Sequence, residues 1–166
     1  MFVKLAQFVT IMVYVLVAGV MWGTWLSLGR TMTEYDATTF LADGKHMIAN
    51  LATVMAALMI SAVVLGLVVV IALFRRGSAV AGWLALAGLA LMVGVLVVTL
   101  AVEVPIDNDI NKWTVDTLPT DWMAIRSRWA AFHTLRTFLS LGSVAALIGA
   151  ALTYGPPARP HQESVG

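Results

Sequence analysis

The sequence predicts an all-α fold: an integral membrane four-helix bundle. The residues are 60% hydrophobic and only 11% charged, whereas soluble domains are about 45–50% apolar and about 25% charged. Four apolar stretches are each long enough to cross a hydrocarbon core about 30 Å thick, which requires about 20 helical residues. The alternating pattern of barrel strands is missing, and a membrane segment must satisfy its own backbone hydrogen bonds, so helices are the remaining solution.

The predicted spans belong to one domain that covers residues 1–155. They comprise residues 5–28, 48–74, 79–104 and 121–154. Residues 156–166 form a polar tail after the last span. The first span is too long for the apolar region of a signal peptide, which has about 7–15 residues, so we expect it to be retained.

Residues that end or begin helices separate the spans. The run from Arg75 to Ser78 contains Gly77 and predicts a tight turn. Because Pro105 lacks a backbone N–H, the third helix should end near Val104. Thr120 or Asp121 suits the N-cap of the fourth helix.

Basic residues in short connections predict the orientation. Lys4, Arg75, Arg76 and Arg159 fall on one side of the membrane, and cytoplasmic loops are enriched in such residues. We therefore expect a multi-pass protein of the plasma (inner) membrane with cytoplasmic N- and C-termini. The connection between the third and fourth helices then lies outside and is long enough to form an extracellular cap.

Composition excludes several functional classes. Cysteine is absent, which excludes disulfide scaffolds, thiolate metal sites and thiol–disulfide relays. A net charge of +1 and the lack of a basic patch argue against nucleic-acid binding. Phosphate-binding glycine loops and zinc-protease motifs are also missing. The expected partners are the lipid bilayer and a hydrophobic aromatic or quinone ligand, with a partner membrane subunit or a homo-oligomer as further possibilities.

The fourth helix carries a polar and aromatic stripe near its outer end. Trp129, His133 and Arg136 are spaced i, i+4 and i+7, so they share one face. Arg136 lies just within the apolar layer, where ionisable side chains are costly and usually have a partner. Glu103, at the outer end of the third helix, is the expected partner in a charge-assisted pair.

Two further groups of candidates lie at the same end of the bundle. His46 and Asn50 belong to the second helix, and His46 could meet His133 at a metal ion, although two histidines without a third ligand predict no metal site. Trp22 and Trp25 end the first helix. They belong either to an interfacial aromatic belt or to a wall around a flat ligand, and the sequence leaves both alternatives open.

Two segments resemble the anthrone-oxygenase-like family of small four-helix membrane proteins. They are residues 104–113, VPIDNDINKW, and residues 126–137, RSRWAAFHTLRT. The family carries a V-P-x-N-x-x-(I/L) turn after the third helix and a W-x-x-x-H-x-x-R-T run in the fourth. The resemblance implies oxidation of anthrones to anthraquinones with molecular oxygen, as in characterised fungal relatives. Its motif positions are assigned to Asn108, Trp129, His133 and Arg136.

These residues suggest a cofactor-free oxygenase that acts on a flat phenolic or quinonoid substrate, with molecular oxygen as co-substrate. The substrate would partition into the outer leaflet of the membrane and enter between the outer helix ends. His133 is the expected general base, Arg136 the expected oxyanion stabiliser and Glu103 their orienting partner. The ligand-binding candidates are Trp129, Asn108, Asn111, Trp22, Trp25, His46 and Asn50. The alternative function is a non-catalytic quinone- or lipid-binding accessory subunit of a membrane complex.

Overall fold

The computed structural model describes residues 1–29 and 31–155, and the predicted tail at 156–166 lies outside these ranges. The α-helices are α1 (Phe2–Thr24), α2 (Ala37–Arg75), α3 (Ala79–Val98), α4 (Val104–Lys112) and α5 (Trp122–Thr153). Two π-helical turns, Trp25–Gly29 and Thr99–Glu103, follow α1 and α3, and two 3₁₀ turns span Met32–Glu34 and Val115–Thr117. The described ranges contain no β-strand.

Four stretches of the described chain are long and apolar enough to cross a membrane. They are Phe2–Glu34, Ala37–Arg75, Ala79–Lys112 and Trp122–Thr153. Large apolar side chains such as Phe8, Val97 and Phe138 point outward and are more than half exposed, as lipid-facing residues must. The predicted all-α, multi-pass membrane fold is therefore confirmed.

The core of the bundle is divided into two apolar clusters. The larger cluster fills one end and the middle, where Tyr14, Met59, Met92 and Leu147 are buried. The second cluster fills the opposite end and includes Phe40 and Trp129. α5 packs against both α1 and α3, and α2 packs against the same two helices.

Arg126 holds the connection between α1 and α2 against α5. Its Nη1 and Nη2 atoms donate to the carbonyl oxygens of Tyr35 and Thr33, each at 2.6 Å. The guanidinium also lies 4.9 Å from the ring centroid of Trp122. One buried side chain thus satisfies two carbonyls of the connection between α1 and α2.

The second helix begins at Ala37, so the predicted start near residue 48 is wrong. Asp36 is the N-cap, and its Oδ1 accepts a hydrogen bond of 2.8 Å from the Thr39 N–H. The cap starts the helix in a polar stretch that precedes the apolar run. The prediction was based on apolar residues alone, so it did not include this stretch. The turn at Gly77 lies where it was predicted, and its φ of +71° is in the region that favours glycine.

The third span continues through Pro105, so the predicted end near Val104 is also wrong. The Val104 N–H donates to the Thr99 carbonyl, which is the i→i+5 pattern of a π turn. Pro105 then occupies the first turn of α4, where a missing N–H breaks no hydrogen bond. The helical path extends to Lys112.

The last helix begins and ends close to the predicted bounds. Its N-cap is Asp121, one of the two predicted residues, but the side chain makes no capping hydrogen bond. The helix ends at Thr153.

Replacing Asp36 by alanine should weaken the start of α2 in a pH-dependent way. The hydrogen bonds from Thr39 lower the pKa of the Asp36 carboxyl below its ordinary value. A lowered folded-state pKa stabilises the protein above the unfolded-state value, and this contribution disappears as pH falls through the folded-state value. We expect Asp36→Ala to lower the midpoint of thermal unfolding in detergent at neutral pH, with the difference closing in strong acid. Asp36→Asn, which keeps an acceptor, is the matched control and should lose less.

Gly66 permits the close approach of Tyr14 to α2. A Cβ at residue 66 would overlap the Tyr14 hydroxyl and lie 3.1 Å from Leu89 Cδ1. Tyr14 is fully buried, so its ring has little room to move. A Cβ at Gly19, in contrast, would meet no atom within 4 Å.

Gly66→Ala should therefore destabilise the bundle by about 1–3 kcal/mol, the usual cost of overpacking a core. Gly19→Ala is the control, because it gains the same helix propensity without the overlap. Adding Tyr14→Phe to Gly66→Ala should recover much of the loss, since it removes the overlapping oxygen. Equal unfolding midpoints for the two alanine variants would contradict this description of the contact.

Candidate active site

A cavity of about 290 Å³ lies between the four spans, near the π turns. Apolar residues from α1, α2 and the third span form most of its wall, including Val20, Met55, Met59 and Leu96. Ligand pockets in proteins begin at about 300 Å³, so the space suits a compact ligand. The ionisable side chains on its wall are Asp107, His133 and Arg136.

A hydrogen-bonded stack fixes the rings on α5. Trp129 and His133 are stacked with centroids 4.8 Å apart and planes within 3°. The Trp129 Nε1–H donates to Asp107 Oδ1 at 3.1 Å. Trp129 and His133 are almost completely buried, so this chain of contacts ties the half-buried Asp107 on α4 to α5.

Arg136 is the centre of a second set of contacts. Its Nη2 atom lies 2.9 Å from Glu103 Oε2, and the Glu103 side chain is fully buried. Its Nη1 atom donates to Thr99 Oγ1 at 3.3 Å. Glu103 and Thr99 are the two ends of the π turn in the third span, so the turn supplies two partners of the guanidinium.

The contact between Arg136 and His133 determines the state of the imidazole. Arg136 Nε and Nη2 lie 3.3 and 3.0 Å from His133 Nδ1. A guanidinium can only donate, so Nδ1 must be the acceptor and the neutral ring carries its proton on Nε2. The Met21 backbone interacts with the ring, but Nε2 has no hydrogen bond of ordinary geometry within the described chain.

This arrangement bears on the predicted role of His133 as general base. A general base needs a free lone pair, and Arg136 occupies the Nδ1 lone pair. His133 therefore fits a positioning role, as an acceptor that holds the guanidinium. Among the side chains that line the cavity, Asp107 is the remaining candidate base.

One N–H group of the Arg136 guanidinium remains available to a ligand. A guanidinium has five N–H donors. The hydrogen bonds above run from Nε and Nη2 to His133 and from Nη1 to Thr99, and Nη2 also forms the ion pair with Glu103. Nη1 makes a single hydrogen bond within the described residues, and Arg136 lines the cavity, so its second hydrogen remains available to an oxygen of a bound molecule.

The model of the family described as anthrone oxygenase matches residues 44–146. The chain belongs to the anthrone oxygenase family. No curated protein matches the chain, and no solved structure matches it.

Family membership supports an oxygenase-like function at the level of the anthrone oxygenase family. The structure brings together Glu103, Trp129, His133 and Arg136, four residues that the sequence placed at one site. The expected pair of Arg136 with Glu103 is present.

Asp107, rather than Asn108, occupies the asparagine position of the V-P-x-N motif of the anthrone oxygenase family. Counted from Val104, that position is residue 107, so the assignment to Asn108 was wrong by one residue. Asn108 and Asn111 are exposed and do not line the cavity. At about 100° per residue along α4, the inward face instead carries Ile106, Asp107 and Ile110.

His46 and Asn50 do not contribute to the cavity either. Both side chains are exposed on α2, whose cavity face carries Ile48, Leu51 and Met55. His46 is therefore not brought to the cavity wall beside His133. Within residues 1–29 and 31–155, no group of three or more His, Cys, Asp and Glu side chains could hold a metal ion.

The two tryptophans of the first span pack on the outer side of the contact between α1 and α5. Trp22 and Trp25 are stacked at 5.1 Å, and both rings meet the edge of Phe138. Trp25 Nε1–H also donates to Thr134 Oγ1 at 3.1 Å. Neither ring lines the cavity, so their assignment as ligand-binding residues is not supported.

Thr99 was missed by the sequence analysis. Thr99 lies in the site because of the π turn, and no residue pattern in the sequence predicts that turn. Asp107 was visible beside Asn108, and correct counting of the motif would have found it.

Arg136→Gln should destabilise the protein more than Glu103→Gln. Loss of Arg136 leaves the buried Glu103 carboxylate without a counter-charge, and breaking a buried pair in this way costs about 3–5 kcal/mol. Loss of Glu103 leaves Arg136 with His133 and Thr99. Thermal unfolding in detergent measures both changes.

The control for this prediction is the exposed pair of Lys112 and Asp109, whose Nζ and Oδ1 atoms are 3.3 Å apart. Lys112→Gln should cost no more than about 1 kcal/mol, as for other surface pairs. If Arg136→Gln were as mild as Lys112→Gln, the pair would not hold the π turn.

Proposed function

We propose that this member of the anthrone oxygenase family oxidises a flat, hydroxylated aromatic ketone of the anthrone type inside the membrane. The observation that carries the proposal is the combination of an apolar cavity with a carboxylate and a guanidinium on its wall, Asp107 and Arg136. The apolar wall fits the ring system. The two charged groups fit a substrate that loses a proton at carbon and gathers negative charge on oxygen.

The reaction needs only the substrate and molecular oxygen. A base removes a proton from the ring CH₂ group, and the electron pair spreads to the carbonyl oxygen as an enolate. The carbanion carbon gives its electrons to O₂ and forms a C–O bond, and the resulting peroxide anion takes back the proton held by the base to become a hydroperoxide. Loss of water from that hydroperoxide leaves a carbonyl, so one oxygen atom enters the product and the other leaves in water. No further reductant or cofactor is required.

Each charged residue has a separate task in this proposal. Asp107 accepts the proton, and the hydrogen bond from Trp129 fixes its carboxylate. The free Nη1 hydrogen of Arg136 stabilises the enolate oxygen, as preorganised donors do in oxyanion sites. His133 and Glu103 position Arg136.

The apolar wall assists the proton transfer. Met55, Met59 and Leu96 surround the body of the substrate and exclude water from the carbanion. Interactions between charges are stronger in such surroundings than in water.

We also propose that the site lies towards the outer face of the plasma membrane, with both termini in the cytoplasm. The Arg75-Arg76 turn supports this orientation, because it lies at the end of the bundle away from the cavity. α4 and the segment to Trp122 then form an extracellular cap. A contact of 2.7 Å from Lys45 Nζ to the Trp113 carbonyl fastens this segment to α2.

Asp107→Asn tests the proposal most directly. The amide oxygen can still accept the Trp129 hydrogen bond, but the group can no longer take a proton. We expect kcat for anthrone oxidation in lipid nanodiscs to fall by about 10²–10⁴, the usual contribution of a general base. Oxygen consumption and anthraquinone absorbance give the rate.

Asp109→Asn is the matched control, because Asp109 is exposed on the same helix outside the cavity; its rate should equal that of the wild type. Unchanged turnover in Asp107→Asn would remove Asp107 as the base. Stoichiometric anthrone binding by the wild type without oxygen consumption would instead support the non-catalytic binding function.

A further inference from the structure

The exposure of several lining residues indicates a gap in the cavity wall between α2 and the third span. Ala52, Ala56 and Ile60 line the cavity and are also exposed on the outer surface of α2. Leu100 and Val104 do the same on the opposite side of the gap. Residues that face both the cavity and the surroundings mark an opening.

The opening lies within the hydrocarbon layer. α2 has no ionisable side chain between His46 and Arg75, and the α2 residues of the gap fall inside this stretch. A membrane-spanning stretch of this kind borders lipid rather than water. The gap residues themselves are all apolar.

The end of the bundle beyond the cavity is closed. The second apolar cluster fills it with Met32, Phe40 and Ile106, all of which are buried. Trp129, with 2% of its surface exposed, lies between this cluster and the cavity. A ligand that came straight from water would have to displace this packing.

We propose that the substrate enters sideways from the lipid bilayer, edge-on, through the gap between α2 and the third span. This inference rests on the proposed function for the identity of the ligand. It replaces the expected route between the outer helix ends. At 1.5 Å per residue, the gap extends for about 12 Å along α2, which suits the edge of a flat ring system.

Two small side chains keep the gap open. Ala52 and Ala56 are one helical turn apart on its α2 edge. A large residue at either position would narrow the opening on its α2 edge. The gap therefore selects ligands that are thin and lipid-soluble. The charged groups of the cavity select ligands that can lose a proton and carry negative charge on oxygen.

The absence of cysteine allows a single reporter to be placed at the gap. Ala56→Cys lies on the gap, and Ala57→Cys lies next to it, exposed but outside the cavity wall. Both variants would carry a nitroxide spin label in nanodiscs. We expect both labels to be accessible to dissolved oxygen and protected from a water-soluble nickel chelate. Added anthraquinone should immobilise the label at residue 56 and leave the label at residue 57 unchanged.

Bulky substitutions at residues 56 and 57 test the same opening by enzyme kinetics. Ala56→Trp should lower kcat/KM for anthrone about tenfold, because the bulky ring narrows the opening and slows association. Ala57→Trp should behave as the wild type. Equal kcat/KM in the two variants would overturn the proposal, as would exposure of the residue 56 label to the nickel chelate or its protection from both agents.

The outcomes separate this inference from the proposed function. If the wild type did not oxidise anthrones but anthraquinone still immobilised the label at residue 56, the lateral opening would stand and the oxygenase chemistry would fall. If turnover were normal and the label did not respond, the chemistry would stand and the opening would fall.

Discussion

The ion pair between Arg136 and Glu103 is the constraint on which the site depends. Charged groups within an apolar bundle are costly unless they are paired, and this pair joins α5 to the π turn of the third span. The same guanidinium holds His133, and the His133 ring is stacked on Trp129. Because Trp129 donates to Asp107, both charged residues on the cavity wall derive their positions from one network.

The π turn explains why such a network can form there. An α-helix would place the residues after Thr99 in a different rotational register. The wider turn inserts one residue, brings Glu103 to the inside and lets Pro105 follow without a lost hydrogen bond. π turns of this kind are often found at functional sites.

Much of the architecture could be predicted because lipid imposes simple rules on sequence. The length and apolarity of the spans predict the four helices. The cost of burying a charge in the apolar layer predicts that Arg136 is paired with Glu103. The spacing of Trp129, His133 and Arg136 gives their common side of α5. These inferences use only helical geometry and solvation, which hold without tertiary information.

The errors have equally definite causes. A polar N-terminal stretch hid the first turns of α2, although its cap at Asp36 was visible. The rotation of α4 depends on the π turn, so the inward position of Asp107 could not be derived from helical spacing alone. His46 and Asn50 were placed by assuming that polar residues face the site, but on α2 the site is bordered by apolar residues. The protonation pattern of His133 depends on a contact distance, which sequence does not contain.

The hydrogen bonds from Arg126 to the carbonyls of Thr33 and Tyr35 restrict the length of the connection between α1 and α2. Two acceptors separated by one residue must match the fixed width of a guanidinium, so an insertion or deletion between residues 33 and 35 would leave a buried cation with an unmatched acceptor. The second connection is fastened to α2 at one carbonyl only, that of Trp113 among the described hydrogen bonds, and Thr114 and Thr117 beyond it bond to each other. Length changes among relatives should therefore accumulate in the second connection and be rare in the first.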